Sequence, residues 1–152
     1  MLRLIITGLI TLNISILPSP IQAQEVENRD CTATITAAQN QIETGRSVTV
    51  TIRSSDISKK YPDHSTNRPY RYVVLLEGAA AESIMNSPNF IKSIATKLIN
   101  NCSSVGSVTF AVNHTGWSYS IGLIQGRLDF FECLDHDGSS RELTWGQEYC
   151  SL

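Results

Sequence analysis

Beyond residue 17 the chain has no apolar run able to span a bilayer, which takes about 20 apolar residues in a helix. No C-x-x-C pair is present, and the cysteine spacings fit no compact zinc site. The phosphate loop, dinucleotide fingerprint, G-x-S-x-G elbow, zinc-protease motif and paired-carboxylate pattern are all missing. With them go the familiar nucleotide-dependent, serine-hydrolase and metallohydrolase classes. A basic excess is missing too: 12 basic residues face 14 acidic ones, a formal charge of −2. That argues against a general nucleic-acid binder, because phosphate contacts demand a basic surface. No cofactor motif stands out, and no metal set is expected.

What is present begins at the first residues. Met1-Leu2-Arg3 supplies one positive charge, and Leu4 to Leu17 follows uncharged. Pro18 and Pro20 break the run, and Ile21-Gln22-Ala23 ends on a small residue. This is the layout of a cleavable signal peptide over 1–23, leaving 24–152 as one domain. A retained anchor is the rival, but the run is short and soon interrupted by proline. Gln24 is not a cysteine that could carry a lipid. The expected location is therefore secreted or periplasmic, with no membrane span after cleavage. All four cysteines, Cys31, Cys102, Cys133 and Cys150, lie beyond the signal, where an oxidising compartment favours disulfides.

The mature segment reads as alternating helices and strands. Asp30 offers a cap to a helix over 31–44, where Cys31, Ile35, Ala38 and Ile42 recur at helical spacing and Gly45 offers a left-handed stop. Glu25 to Arg29 is polar and reads as loose. Threonines 32, 34 and 36 keep an early strand open as an alternative. Arg46–Arg53 alternates as a half-buried strand, Ser54–Pro69 reads as a long mobile loop, and Tyr70–Glu77 reads as a central strand. Ala79-Ala80-Ala81 suggests one turn of helix. Ser87-Pro88 then opens a clear helix with the stripe Phe90, Ile91, Ile94, Ala95, Leu98 and Ile99. Strands follow around Val108–Val112, Trp117–Leu123 and Arg127–Cys133, the last two joined by the turn Gln125-Gly126. The expected fold is α+β: a largely antiparallel sheet of about five strands with two helices packed on it, stapled by disulfides.

Four cysteines allow three pairings. Antiparallel helices on one sheet face would bring Cys31 to Cys102, and Cys133–Cys150 would tie the tail to the last strand. Cys102–Cys150 with Cys31–Cys133 is the other pairing considered.

Candidate functional groups are few. The stretch from Arg46 to Arg71 is basic, and Arg53, Lys59, Lys60, Arg68 and Arg71 form a possible binding surface in and beside the long loop. Two solvated regions of opposite charge are the plainer reading, since the chain from Asp129 onward is acidic. Trp117, Tyr119, Phe130, Phe131, Trp145 and Tyr149 could stack a sugar or peptide, though inward strand positions favour core packing. Asp135-His136-Asp137-Gly138 has metal-binding residue types but reads as a turn. Glu77 ends an apolar strand, where solvent contact competes with a perturbed acid. No catalytic residue is assigned.

Several local motifs also carry a resemblance. These are Asn86-Ser87-Pro88, Ile99-Asn100-Asn101-Cys102, Val108-Thr109-Phe110, Phe131-Glu132-Cys133 and Trp145-Gly146 before Cys150. From Tyr70 onward the chain resembles short secreted proteins of cyanobacteria, a group without an assigned activity. The resemblance implies bacterial export and brings no catalytic residues. The expected function is a noncatalytic module that binds a protein, peptide or envelope component. The alternatives are a small hydrolase pairing His64, His114 or His136 with a carboxylate, and an inhibitor of a secreted enzyme.

Overall fold

The computed structural model describes residues 20–135 and 142–150, with side chains from Cys31 onward. Helix α1 spans Pro20–Glu43, followed by β1 (Thr49–Asp56) and β2 (Tyr70–Glu77). A short helix α2 (Ala81–Met85) and a longer α3 (Pro88–Asn101) come next. Strands β3 (Val105–Val112), β4 (Ser118–Ile124), β5 (Arg127–Phe130), β6 (Glu132–Leu134) and β7 (Gln147–Tyr149) complete the order. One sheet has five strands in the order β1-β2-β3-β4-β5; β6 and β7 form a separate parallel pair. Only β2 and β3 are parallel within the large sheet, because α2 and α3 form the crossover between them. The α+β class and the mostly antiparallel sheet agree with the sequence.

Helix α1 starts earlier than its sequence suggests. Asp30 lies inside it instead of capping it, and Glu25 to Arg29 is helical instead of loose. After Pro20, which suits a first turn, no glycine or proline interrupts the segment until Gly45. Gly45, with φ of +71°, stops the helix as expected. Ser87 occupies the N-cap of α3, yet its hydroxyl donates back to Ser83 O at 2.9 Å and makes no cap bond. The expected stripe of α3 is otherwise realised: Ile91, Ile94, Ala95, Leu98 and Ile99 are all buried.

Helices α1 and α3 run antiparallel on one sheet face. Cys31 bonds Cys102 at one end of the pair, and Lys97 Nζ donates to Gln41 Oε1 at 2.8 Å further along. Ala38 and Ile42 meet the α3 stripe and the sheet residues Val50, Val74, Leu76, Val108, Phe110 and Ile121. Helix α1 also covers part of the β1 edge. Val50 N–H donates to Glu43 Oε1 at 2.8 Å, and Gln39 Nε2 donates to Val50 O at 3.2 Å. These side chains fill backbone positions that a further strand would otherwise take.

The opposite sheet face carries a second core. Ile57, Tyr61 and Phe131 are buried there, with Ile124, Leu143 and Trp145 packed against them. Ile57 and Tyr61 come from the segment expected to be a mobile loop. The structure corrects that expectation, because the segment is fastened at several points. Tyr61 is 2% exposed, its hydroxyl donates to Gln147 O at 2.7 Å, and its ring meets Phe131 and Trp145 edge-on. Asp63 accepts the Trp145 amide at 2.9 Å. Tyr61 follows Ile57 by four positions, and its amide donates to Ile57 O at 2.9 Å, so one turn of backbone lays both on the sheet.

The expected final strand Arg127–Cys133 is two strands. Gln125 and Gly126 both have positive φ, +49° and +78°, and turn β4 tightly into β5. At Phe131 the chain leaves the large sheet, and Glu132–Leu134 pairs instead with Gln147–Tyr149. The second disulfide, Cys133–Cys150, closes this small unit. Both bridges match the pairing favoured by the sequence.

Candidate functional site

Of the five basic residues singled out in the sequence, not all face solvent. Arg53 and Lys59 are exposed. Arg68 turns inward: its Nη1 donates to Ile99 O at 2.9 Å and Val105 O at 2.8 Å, with Cys102 O at 3.4 Å. It thus closes the carbonyl end of α3, where a cation is favoured by the helix dipole. Arg71 lies on β2 opposite Ser55, with its Nε buried and lacking a hydrogen-bond partner among the described residues. Lys60 Nζ sits 5.2 Å from the Tyr61 ring centroid. Burial lowers the Lys60 pKa, Arg71 lowers it further, and Glu148 opposes both.

The histidines are dispersed. His64 Nδ1 lies 2.8 Å from Tyr61 O, and its ring meets Trp145 edge-on. His114 occupies an exposed turn with φ of +61°. His136, with Asp137 and Gly138, lies outside the described residues. Among the described residues no histidine hydrogen-bonds a carboxylate, and no group of three His, Cys, Asp or Glu could hold a metal ion. Glu77 is exposed and accepts from Asn113 Nδ2 at 3.0 Å.

The aromatic residues divide between two places. Phe131 and Trp145 belong to the second core, where Trp145 Nε1 donates to Leu123 O at 2.8 Å. Trp117, Tyr119, Phe130 and Tyr149 line an open groove of about 490 Å³, which Phe131 also borders. The groove lies where β5 ends and the β6–β7 unit swings away from β4. Met85, Pro88 and Ile91 contribute from α2 and α3, and the Cys133–Cys150 bridge lies along it. Trp117 and Tyr119 have centroids 6.2 Å apart at 77°, and Tyr119 and Phe130 6.3 Å apart at 83°. Each ring is therefore nearly perpendicular to the next, the arrangement that matches ring edges to faces. Tyr119 remains 40% exposed. Lys92 sits over the Phe130 ring at 5.9 Å while pairing with Asp129 at 3.0 Å. That contact holds the Asp129 carboxyl below its ordinary range, chiefly through the Lys92 hydrogen bond.

Among the described residues, one carboxylate lines the groove. Glu148 Oε1 accepts the Ser120 amide at 3.0 Å, and Oε2 accepts the Ser120 hydroxyl at 2.5 Å. Thr109 Oγ1 lies 2.8 Å from Ser120 Oγ, so a buried hydroxyl pair backs the carboxylate. Ser107, Thr109 and Ser120 are the buried polar side chains of the sheet, on the face away from the helices. Glu148 reads in the sequence only as part of an acidic tail. The signal for its partnership is the polar alternation of Ser118 and Ser120 within an otherwise apolar strand. A buried hydroxyl there requires a partner.

Among the described residues no helix is long and apolar enough to cross a membrane. No protein-family model, curated protein or solved structure matches the chain.

Proposed function

We propose that the protein is an exported, noncatalytic binding module whose ligand or partner, a protein, peptide or other envelope component, occupies the groove beside β4. The observation that carries this reading is the gathering of Trp117, Tyr119, Phe130 and Tyr149 around an open cavity. Concave apolar sites with a few convergent polar groups are where proteins hold ligands, and this one falls in their usual size range of about 300–1,000 Å³. Export is supported by the layout of the first 23 residues and by two disulfides, which persist in oxidising compartments.

The groove displaces the basic loop as the preferred binding surface, since Arg68 is spent on the end of α3 and the loop is fastened to the sheet. It also stands ahead of a histidine–carboxylate hydrolase, because among the described residues no carboxylate hydrogen-bonds His64 or His114 to orient it.

Two measurements test the proposal together. Mass spectrometry of the exported protein gives an N-terminus at Gln24. Immobilised protein incubated with the periplasm or medium of its own host retains a component that the Trp117→Ala/Tyr119→Ala double variant does not. Equal retention by the folded double variant rules out the groove.

A further inference from the structure

We infer that the groove takes an alkylated ammonium group. The inference rests on the groove being the binding site and names what enters it.

Among the described residues its lining has one ionic side chain, the Glu148 carboxylate, and no lysine or arginine. The remainder is mostly aromatic and aliphatic, with Asn86, Ser118 and Ser120 as polar members. Trp117 with Tyr119 and Tyr119 with Phe130 meet at near right angles with centroids 6.2 and 6.3 Å apart, each contact setting a ring edge against a ring face. A ring face carries negative electrostatic potential and attracts a cation placed over it. Phe130 already does this for Lys92, whose Nζ lies 5.9 Å from its centroid. Aromatic faces beside a carboxylate therefore favour a cationic guest over an anionic one. Lys60 and Arg71 act electrostatically on the Tyr61 side of Glu148, and Lys92 sits over Phe130 paired with Asp129, yet none of the three lines the groove.

The state of Glu148 narrows the cation further. Each carboxylate oxygen already accepts a hydrogen bond from Ser120. Its charge remains available to the groove, while much of its directional accepting capacity is used. A primary ammonium brings three donors and a tight hydration shell, and needs acceptors to replace the water it loses. An alkylated ammonium has few or no donors, and its methyl groups pack on rings. It needs charge and apolar surface, and the groove offers both. A cavity of about 490 Å³ admits such a head group together with a short substituent.

The test is calorimetric titration of the oxidised mature protein with three probes. The first is choline, which carries a trimethylammonium group. The second is 3,3-dimethyl-1-butanol, its uncharged carbon counterpart. The third is the α-N-acetyl amide of lysine, which carries a primary ammonium. The expected result is choline binding about tenfold more tightly than either of the others, in line with a partly desolvated cation–π contact. Glu148→Gln keeps an amide oxygen for the Ser120 amide and removes the charge; it lowers choline affinity severalfold and leaves the butanol unchanged. Tyr119→Leu, at a partly exposed position, lowers choline affinity with the thermal midpoint preserved. Equal binding of choline and the butanol overturns the cationic assignment and leaves an apolar binding groove. Equal binding of choline and the lysine derivative overturns the preference for an alkylated group. If no probe binds at millimolar concentration, the inference fails; loss of host-component retention in the double variant above then shows whether the groove still binds something else.

Discussion

Replacing Arg68 by methionine separates a structural cation from a surface one. The guanidinium Nη1 has two hydrogens and three carbonyl neighbours: Ile99 O at 2.9 Å, Val105 O at 2.8 Å and Cys102 O at 3.4 Å. Two short bonds are fully made, and the third is a long shared contact. Hydrogen bonds with a charged donor contribute about 1.5–3 kcal/mol net, and a cation at a helix C-terminus adds about 0.3–1 kcal/mol. One group makes all of these contacts, so they overlap, and the expected loss is about 2–4 kcal/mol. Methionine retains most of the apolar stem, which keeps packing loss small. The assay is urea unfolding followed by far-ultraviolet circular dichroism, with the midpoint shifting at constant slope. Arg53→Met and Lys59→Met serve as exposed controls and stay within about 0.5 kcal/mol of the parent. If Arg68→Met behaves like them, its carbonyl contacts contribute nothing and the residue returns to the pool of surface cations. A loss confined to Arg68 fixes it as the closure of α3.

Three further outcomes follow from the packing. Bridges close loops of 71 and 17 residues, so on the chain-entropy model removing Cys31–Cys102 costs about 4 kcal/mol and removing Cys133–Cys150 about 3 kcal/mol. Paired Cys→Ala variants in urea check this, and a larger loss from the shorter loop contradicts the model. A Cβ on Gly122 would lie 2.5 Å from Phe131 Cε1 and 3.2 Å from Gly106 O, so Gly122→Ala destabilises by about 1–3 kcal/mol through overpacking. Phe131→Leu in the same chain should recover part of that loss, and strict additivity of the two changes would contradict the contact. Burial first, and Glu148 second, push the Tyr61 phenol up to about 12 from 10.0. Its stabilising contribution is whole below pH 10 and is lost as pH rises toward 12, because the unfolded phenol ionises first. Tyr61→Phe therefore flattens the fall in stability over that window, and an unchanged alkaline limb refutes the assignment. Lys60 works with the opposite sign, gaining stability as pH rises toward its ordinary 10.5, so the comparison is made at constant Lys60.

The parts of the fold readable from sequence were those whose reason is local. Val48, Val50 and Ile52 alternate because one face of β1 meets α1, and Ile91 to Ile99 recur because one side of α3 meets the sheet. Pro88 marks the start of that helix by its own covalent geometry. Cys31 and Cys102 fall at positions that antiparallel helices bring together, so even their pairing follows from element order. The features that escaped depend on distant neighbours. Nothing near Arg68 announces that carbonyls more than 30 residues away will take its guanidinium. Ile57 and Tyr61 look like isolated apolar residues in a polar loop until the far sheet face is there to receive them. No glycine or proline marks the break at Phe131, and the apolar run Phe130-Phe131 reads as uninterrupted strand. Of the groove itself only the aromatic residues were visible, and their division between core and surface was not.

That break at Phe131 connects folding to the chemistry of the groove. Strand β5 pairs with β4 only from Ile121 to Ile124, so its cover stops short of Ser120. Ser120 is 3% exposed, and its amide and carbonyl point toward the missing strand. Buried backbone groups of this kind require partners. The Phe131 amide supplies one by donating to Ser120 O at 2.8 Å, and Glu148 supplies the other with a carboxylate. A side chain thus completes an edge that a longer β5 would have completed with backbone. The early departure of the chain opens the space beside Tyr119 and Phe130, and the same departure calls in the acid that lines it. Cavity and charge therefore share one structural cause. A chain in which β5 continued past Phe130 would lose both together.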